Sequence, residues 1–191
     1  MYSIEDYEFN VLDPKKKYHL HLDTDTLIMA CAVVIDRDPC VVKHHRSGRK
    51  KTFESFSAFI DFLENDEKGK KFKLQDFDVP CIGFAFSNFN SKLKAVLDHK
   101  WIGDYTLYVG GQGNFRKELY PEYKATRQKS PPMRKLVHDY VCWKYKERVV
   151  QANGCEAEDF CLAAALKDPS VNIVGMVDKD LTTQSGMFFN Y

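Results

Sequence analysis

What this 191-residue sequence lacks narrows its class before any residue is given a role. Its six cysteines (Cys31, Cys40, Cys81, Cys142, Cys155 and Cys161) form no CxxC pair, which argues against a structural zinc site. They are scattered, one of them inside the apolar run LIMACAVV, and read as reduced core residues of a cytosolic protein. There is no secretory leader pattern and no apolar run of membrane-spanning length, so a cytoplasmic protein without a membrane partner is expected. Internal repeats and low-complexity tracts are absent too, which excludes solenoids and arrays. A formal net charge of only +1 gives no general attraction to a polyanion. What remains is one globular domain over residues 1–191, with 44% apolar and 29% charged residues.

The charge that is present is unevenly placed. From Asn114 to Arg148 there are ten Lys/Arg against four Asp/Glu, and from Lys43 to Lys51 five Lys/Arg and no acid. Local patches of this kind steer polyanions even when the whole molecule is near neutral. The first patch follows Gly110, Gly111 and Gly113, which can turn sharply or let a ligand approach the backbone. Beyond these glycines come Arg116, Lys117, Tyr123, Lys124 and Arg127. A helix beginning near Pro121 would stack Tyr123 over Arg127 and set Lys124 beside them. Cations suit phosphate and a flat ring suits an unstacked base, the pairing a single-strand nucleic-acid contact needs. A solvated amphipathic helix is the plain alternative.

Along the chain, Lys17 to Asp23 alternates and predicts a strand, with Tyr18, Leu20 and Leu22 on one face and His19, His21 and Asp23 on the other. The two histidines read as packed or solvated rather than as metal ligands. Thr24 to Ile35 predicts a helix capped by Thr24 or Thr26, and Arg46 to Arg49 a hairpin turn. Phe56, Phe59, Ile60 and Leu63 are at helical spacing. Ile82 to Phe86 reads as a short strand before a helix over Ser91–His99, and Tyr105 to Val109 as a strand feeding the glycine loop. Helices over Met133–Val149 and Glu156–Lys167 and a buried strand over Asn172–Val177 complete the pattern. Strands and helices alternate, so the expected fold class is α/β: a mainly parallel central sheet with helices on both faces. Ligands of such sheets collect outside the carboxyl ends of the strands, where Asp23 and Asp178 fall.

Carboxylates are the second constellation. Glu156 and Asp159 are three apart and share a helix face, Glu158 points elsewhere unless the helix starts irregularly, and Asp178 and Asp180 bracket a strand end. With Asp23, and with Asp25 nearby, the topology can gather five to seven carboxylates in one crevice. Such a cluster repels itself without cations, and an all-oxygen donor set suits two Mg²⁺ or Mn²⁺ ions. The chemistry implied is two-metal phosphodiester hydrolysis, with Lys124 and Arg127 holding the scissile phosphate and offsetting its developing charge. The plain alternatives are acids at a helix N-terminus, favoured by its dipole, and a polar turn at Asp178–Asp180.

Four ordered segments carry a family resemblance: LDTDTLI at Leu22–Ile28, NFRKELYPEYKATR at Asn114–Arg127, GCEAED at Gly154–Asp159 and VDKDL at Val177–Leu181. Through them the chain resembles the bacteriophage 5′-3′ exonuclease and flap endonuclease family, whose nuclease domain has a PIN-like fold. The resemblance implies a helical arch over about residues 112–148. It implies that Asp23, Glu156, Glu158, Asp159, Asp178 and Asp180 are the metal-binding carboxylates. Tyr123, Lys124 and Arg127 would be the arch residues that stack on a strand end and grip its phosphates, and Arg116 the arginine at the arch entry. A phage-encoded chain would work in the host cytoplasm.

Three departures accompany the resemblance. Family members commonly carry an aspartate near the end of the strand before the glycine loop, where this chain has Val109-Gly110-Gly111. Glu158 stands where aspartate is usual. The sequence ends at Tyr191, without the helix-three-turn-helix region that grips duplex in the nucleases. The expected function is therefore a Mg²⁺-dependent 5′-3′ exonuclease or flap endonuclease acting on DNA 5′ ends, flaps or single strands. A non-catalytic or partner-dependent nucleic-acid-binding accessory subunit is the alternative, a partner protein then supplying the missing region. An RNA-cutting PIN-type nuclease is a third reading.

Overall fold

Alternation in the segment KYHLHLD sets the centre of the molecule. In the computed structural model, which describes residues 12–13, 15–177 and 186–190, this segment is β1 (Tyr18–Asp23), the middle strand of a five-stranded sheet. Its neighbours are β5 (Ile102–Gly110) and β7 (Asn172–Gly175), both parallel to it. β6 (Val149–Ala152) adds beside β5 and β8 (Phe188–Phe189) beside β7, again in parallel. The order is β6-β5-β1-β7-β8.

A fully parallel sheet must be covered on both faces, and the side-chain alternation divides the cover. Tyr18, Leu20, Leu22, Leu107 and Val109 face one cluster, built with α1 (Asp25–Asp36), α3 (Pro80–Leu97) and α5 (Pro132–Lys144). Complete burial of side chains such as Leu20, Leu22 and Leu107 stabilises by roughly 1.5–3 kcal/mol each. On the opposite face Tyr108 and Val174 meet Ala157, Cys161 and Ala165 of α6 (Ala157–Ala165). The expected α/β class, with helices on both faces of a parallel sheet, is the observed one, and it is consistent with a PIN-like arrangement. No described helix is long and apolar enough to cross a membrane.

A second, smaller sheet is antiparallel: β2 (Cys40–His44) lies between β3 (Lys50–Phe53) and β4 (Phe77–Asp78). Gly48, at φ 67°, makes the turn between β2 and β3, a conformation that costs glycine little. Phe56 and Phe59 of α2 (Phe56–Asn65), together with Cys40 and Val42, join this sheet to the cluster on the α1 side. Ser55 caps α2 by accepting from the Ala58 N–H at 3.1 Å.

Two expectations are corrected. Ile82–Phe86 is not a strand; it belongs to the single 18-residue helix α3, which Pro80 starts. An apolar run of five residues has no period of its own, but Ala85, Phe89, Leu93 and Val96 recur at helical spacing and are the buried residues. The helix expected from Pro121 is also absent. Instead, α4 (Phe115–Leu119) is followed by successive turns, closed by Tyr123 N–H to Tyr120 O, Ala125 N–H to Glu122 O and Arg127 N–H to Lys124 O. With Lys124 at φ 58° the chain cannot continue as a right-handed helix.

Candidate active site

The parallel registers set Asp23 opposite Tyr108, Leu22 opposite Gly175 and Gly110 opposite Ala152, so the carboxyl ends of four strands share one edge. Asp23 lies there almost buried, at 7% exposure, and its Oδ1 accepts the Asp25 N–H at 3.1 Å as β1 turns into α1. Asp25 reaches sideways: the Gly110 N–H donates to its Oδ1 at 3.3 Å, and Arg134 of α5 lies 3.4 Å from its Oδ2. A side chain at Gly110 would meet that carboxylate, since a Cβ there would lie 2.8 Å from Oδ2. The end of β5, where the resemblance expects an aspartate, thus receives a carboxylate from α1. Sequence reasoning held Asp25 only as an adjunct and missed Arg134, because their meeting depends on how α1 and α5 pack.

The glycine loop is laced to the loop after β6. Gly111 N–H donates to Ala152 O, Gln112 N–H to Asn153 Oδ1, and Gly154 N–H to Gln112 O, at 2.8–2.9 Å. A Cβ at Gly111 would come within 2.4 Å of Asn153 Oδ1, so only glycine permits this approach. The lacing carries Asn114 and α4 over the start of α6, and the two charged stretches of the sequence meet there.

Arg116 grips Asp159 through two parallel bonds, Nη1 to Oδ2 at 2.5 Å and Nη2 to Oδ1 at 2.7 Å. Asp159 Oδ2 also accepts the Glu156 N–H at 3.0 Å, closing the first turn of α6. Glu156 is surrounded by donors: Asn114 Nδ2 and Tyr123 OH each at 3.2 Å, and the Lys124 ammonium. The Arg116 fork holds the Asp159 carboxyl below the usual range, against the opposing effect of burial. Burial is the largest single influence on Glu156 and works against its charge, yet the Lys124 bond and charge together with hydrogen bonds to Glu158 and Tyr123 outweigh it and lower this carboxyl as well. Asp159 in turn raises Arg116. Lys124, disfavoured as a cation by burial, is raised by Glu156 and Tyr123. Lys124 is the only non-glycine residue with positive φ among the described residues, a conformation costing roughly 1–3 kcal/mol.

Of the predicted site residues, then, Arg116, Tyr123, Lys124, Glu156 and Asp159 come together, with Glu158 in the same first turn of α6. Asp23 stands at the neighbouring strand end. Lys117 and Arg127 are exposed and make no ion pair among the described residues. Asp178 and Asp180 lie outside the described residues, just beyond Val177. Among the described residues no three His, Cys, Asp or Glu side chains are grouped so as to share one ion. The donors at this edge are nevertheless carboxylate oxygens, the chemistry hard divalent cations prefer.

His19 and His21 are packed under α6. His19 Nε2 lies 2.8 Å from Thr106 Oγ1 and His21 Nδ1 2.9 Å from Tyr108 OH. Burial lowers both imidazoles and pushes the Tyr108 hydroxyl up to about 12. Asn114, which the sequence reading used only to mark the start of a segment, orients Glu156 and caps α4 by accepting the Arg116 N–H.

No protein-family model matches the chain, and no solved structure is significantly similar to it.

Proposed function

We infer that the chain is a Mg²⁺-dependent phosphodiesterase of nucleic-acid ends, with the carboxyl edge of the parallel sheet as its active site. The observation that supports this most is the meeting of Arg116 and Lys124 with Asp159 and Glu156 at that edge. An arginine fork fits phosphate oxygens as well as it fits a carboxylate. A phosphodiester entering with its metal offers each charge a new partner. Arg116 and Lys124 transfer to phosphate oxygens, and Glu156 and Asp159 are released to serve as ligands with Asp23 and Glu158. By resemblance Asp178 and Asp180 complete that set. Bound there, two Mg²⁺ ions would supply a hydroxide nucleophile and stabilise the leaving oxygen. The chain's own part is to orient and to neutralise. Lys124, on its strained turn, and Arg127, exposed on the same turn, offset charge on the phosphate, while Tyr123 exchanges Glu156 for a base or a phosphate oxygen.

A second reading has its own support. Because Lys124 and Arg116 already neutralise Glu156 and Asp159, these two carboxylates need no metal to coexist. That suits a nucleic-acid-binding accessory subunit which has kept the fold without turnover.

Cleavage of a 5′-labelled flap and a matching single strand at low salt, with Mg²⁺ or Mn²⁺, separates the two. The enzyme reading expects metal-dependent products that disappear in Asp178→Ala, and a slowed chemical step in Lys124→Ala of about 10²–10³-fold. Cleavage by Asp178→Ala at the wild-type rate would remove the metal-site assignment. Binding without products from the wild-type chain would establish the accessory reading.

A further inference from the structure

We propose that the β2–β3 hairpin and the connection after α2 form a second nucleic-acid surface, one that holds the phosphate backbone of a duplex. This rests on the proposed function only in the choice of polyanion. The surface itself is independent of the carboxyl-edge site: it belongs to the small antiparallel sheet and uses none of that site's residues.

The two segments are distant in sequence and are bound together in the fold. His45 N–H donates to Asp76 O at 2.9 Å, and the His44 ring packs edge-on against Phe72 and Phe77 at 5.1 and 5.3 Å. Lys51 Nζ lies 4.0 Å from the ring centre of Phe62 in α2. The five Lys/Arg of residues 43–51 therefore adjoin the four lysines of residues 68–73. Gly69 fixes the connection, because a Cβ there would overlap Phe62 O at 1.8 Å. At the hairpin tip, Ser47 N–H donates to His44 Nδ1 at 3.1 Å and Gly48 N–H to His44 O at 2.9 Å, so the cations sit on an ordered turn.

One facing of these cations works against the fold. Lys43 lies between Lys50 across the β2–β3 ladder and Asp78 across the β2–β4 ladder, all three exposed; the Lys43–Lys50 facing is a like-charge pair that destabilises a sheet, and Lys43 makes no ion pair with Asp78. Among the described residues none of the nine enters an ion pair, whereas Arg116, Lys124 and Arg134 each have a carboxylate. The nearby Asp66 is turned to the backbone, accepting the Lys68 and Gly69 N–H groups at 2.8 and 3.2 Å. Unpaired, solvated cations lose little on meeting phosphate, and the counterions they displace drive binding.

Duplex fits better than single strand. The aromatic rings here pack edge-on against one another, as Phe72 does on Phe77 at 5.7 Å, and Phe72 alone among them is exposed, too little for a platform that stacks successive unpaired bases. A duplex needs no such platform because its bases are already stacked. A lipid surface fits less well, since the outward strand positions are Lys43, Lys50 and Thr52 with only Val41 apolar, and no amphipathic helix forms the patch.

The test measures fluorescence anisotropy of the full chain with a blunt 20-base-pair DNA duplex in EDTA, across a salt series. The comparison is with Arg46→Gln/Arg49→Gln/Lys50→Gln and, separately, Lys68→Gln/Lys70→Gln/Lys71→Gln. Each triple variant should bind at least tenfold more weakly, and its log–log salt slope should fall by about 0.9 for each phosphate that is no longer neutralised. Two variants on separate segments keep the test valid if one folds poorly. Wild-type affinity and slope in both would overturn the proposal. So would hairpin-dependent binding to phosphatidylserine vesicles with none to duplex, or no duplex binding by the wild-type chain. Hairpin-dependent binding by a chain that cleaves nothing with Mg²⁺ would uphold this surface and remove the enzyme reading alone.

Discussion

The molecule has two cationic regions, and they treat their charge in opposite ways. Beside the carboxyl edge of the sheet, Arg116, Lys124 and Arg134 are each held against a carboxylate and are partly buried, with side chains 25–34% exposed. On the β2–β3 hairpin Lys43 and Lys50 face each other in solvent, and neither enters an ion pair among the described residues, although Asp78 stands opposite Lys43 across the β2–β4 ladder. Partly buried pairs tie together the elements that carry them and are screened less by salt, whereas exposed charges do little for the fold and are screened within about 10 Å at 0.1 M salt. On the proposed function the first region is a lock that a ligand must open, and on the further inference the second is a surface already presented.

The largest expected effect comes from opening the lock. Asp159→Ala removes the bidentate partner of Arg116 and the acceptor of the Glu156 N–H together. A charged group left partly buried without its partner costs about 1–3 kcal/mol. Urea unfolding should show that loss as a lower midpoint at an unchanged slope. Arg49→Ala on the hairpin should change stability by no more than about 0.5 kcal/mol, as surface substitutions do. Equal losses from the two would erase the distinction between the regions.

Acid probes the same contrast without a mutation. Asp159 and Glu156 both titrate below their ordinary values of 3.8 and 4.5 in the folded chain. A carboxyl with a lowered folded pKa stabilises above its unfolded value, and that contribution disappears as pH falls through the folded one. Stability should therefore begin to fall below about 6.5, where the unfolded chain protonates His19 and His21 while the folded one keeps them neutral, and fall further below about 4.5 as both carboxylates take up protons. Arg116→Ala removes the main cause of the Asp159 shift and should flatten the lower part of that profile. Neutralising hairpin cations should leave its shape unchanged. A flat profile in the wild-type chain would mean that the ion pairs do not survive in solution.

The contrast also marks how far the sequence could be read. Period-two alternation exposed β1 and its two faces, because a central strand buried between α1 and α6 must alternate two kinds of surface. It failed at Ile82–Phe86, where five apolar residues of α3 carry no period and the helix shows only over the full Ala85-to-Val96 spacing. Residue types pointed to Arg116, Lys117, Tyr123, Lys124 and Arg127 as one constellation and to Glu156, Glu158 and Asp159 among the carboxylates of another. They did not show that the cations would close on the carboxylates, since that depends on the backbone lacing of Gly111 and Gln112 to residues 152–154. Nor did they show the positive φ of Lys124, which breaks the helix expected from Pro121, because lysine gives no local signal for a left-handed turn. Asp25 was legible only as one acid more until the packing of α1 brought it against Gly110.

The smallest effect is also the one whose sign is most diagnostic. On the hairpin, Lys50→Glu converts the facing Lys43–Lys50 repulsion into an opposite-charge cross-strand pair. Such a pair stabilises a ladder by roughly 0.2–1 kcal/mol relative to a neutral one, and removal of the repulsion acts in the same direction. Thermal melting at low salt should show a gain in midpoint that shrinks as salt is added, because both exposed side chains are screened. If the hairpin cations serve a polyanion, the same substitution should weaken duplex binding while it strengthens the fold. A variant more stable and a poorer binder would separate the two roles of this charge: folding disfavours it and the phosphate backbone uses it. Loss of stability on Lys50→Glu would instead mean that Lys50 has a structural partner in solution, and the second region would then resemble the first.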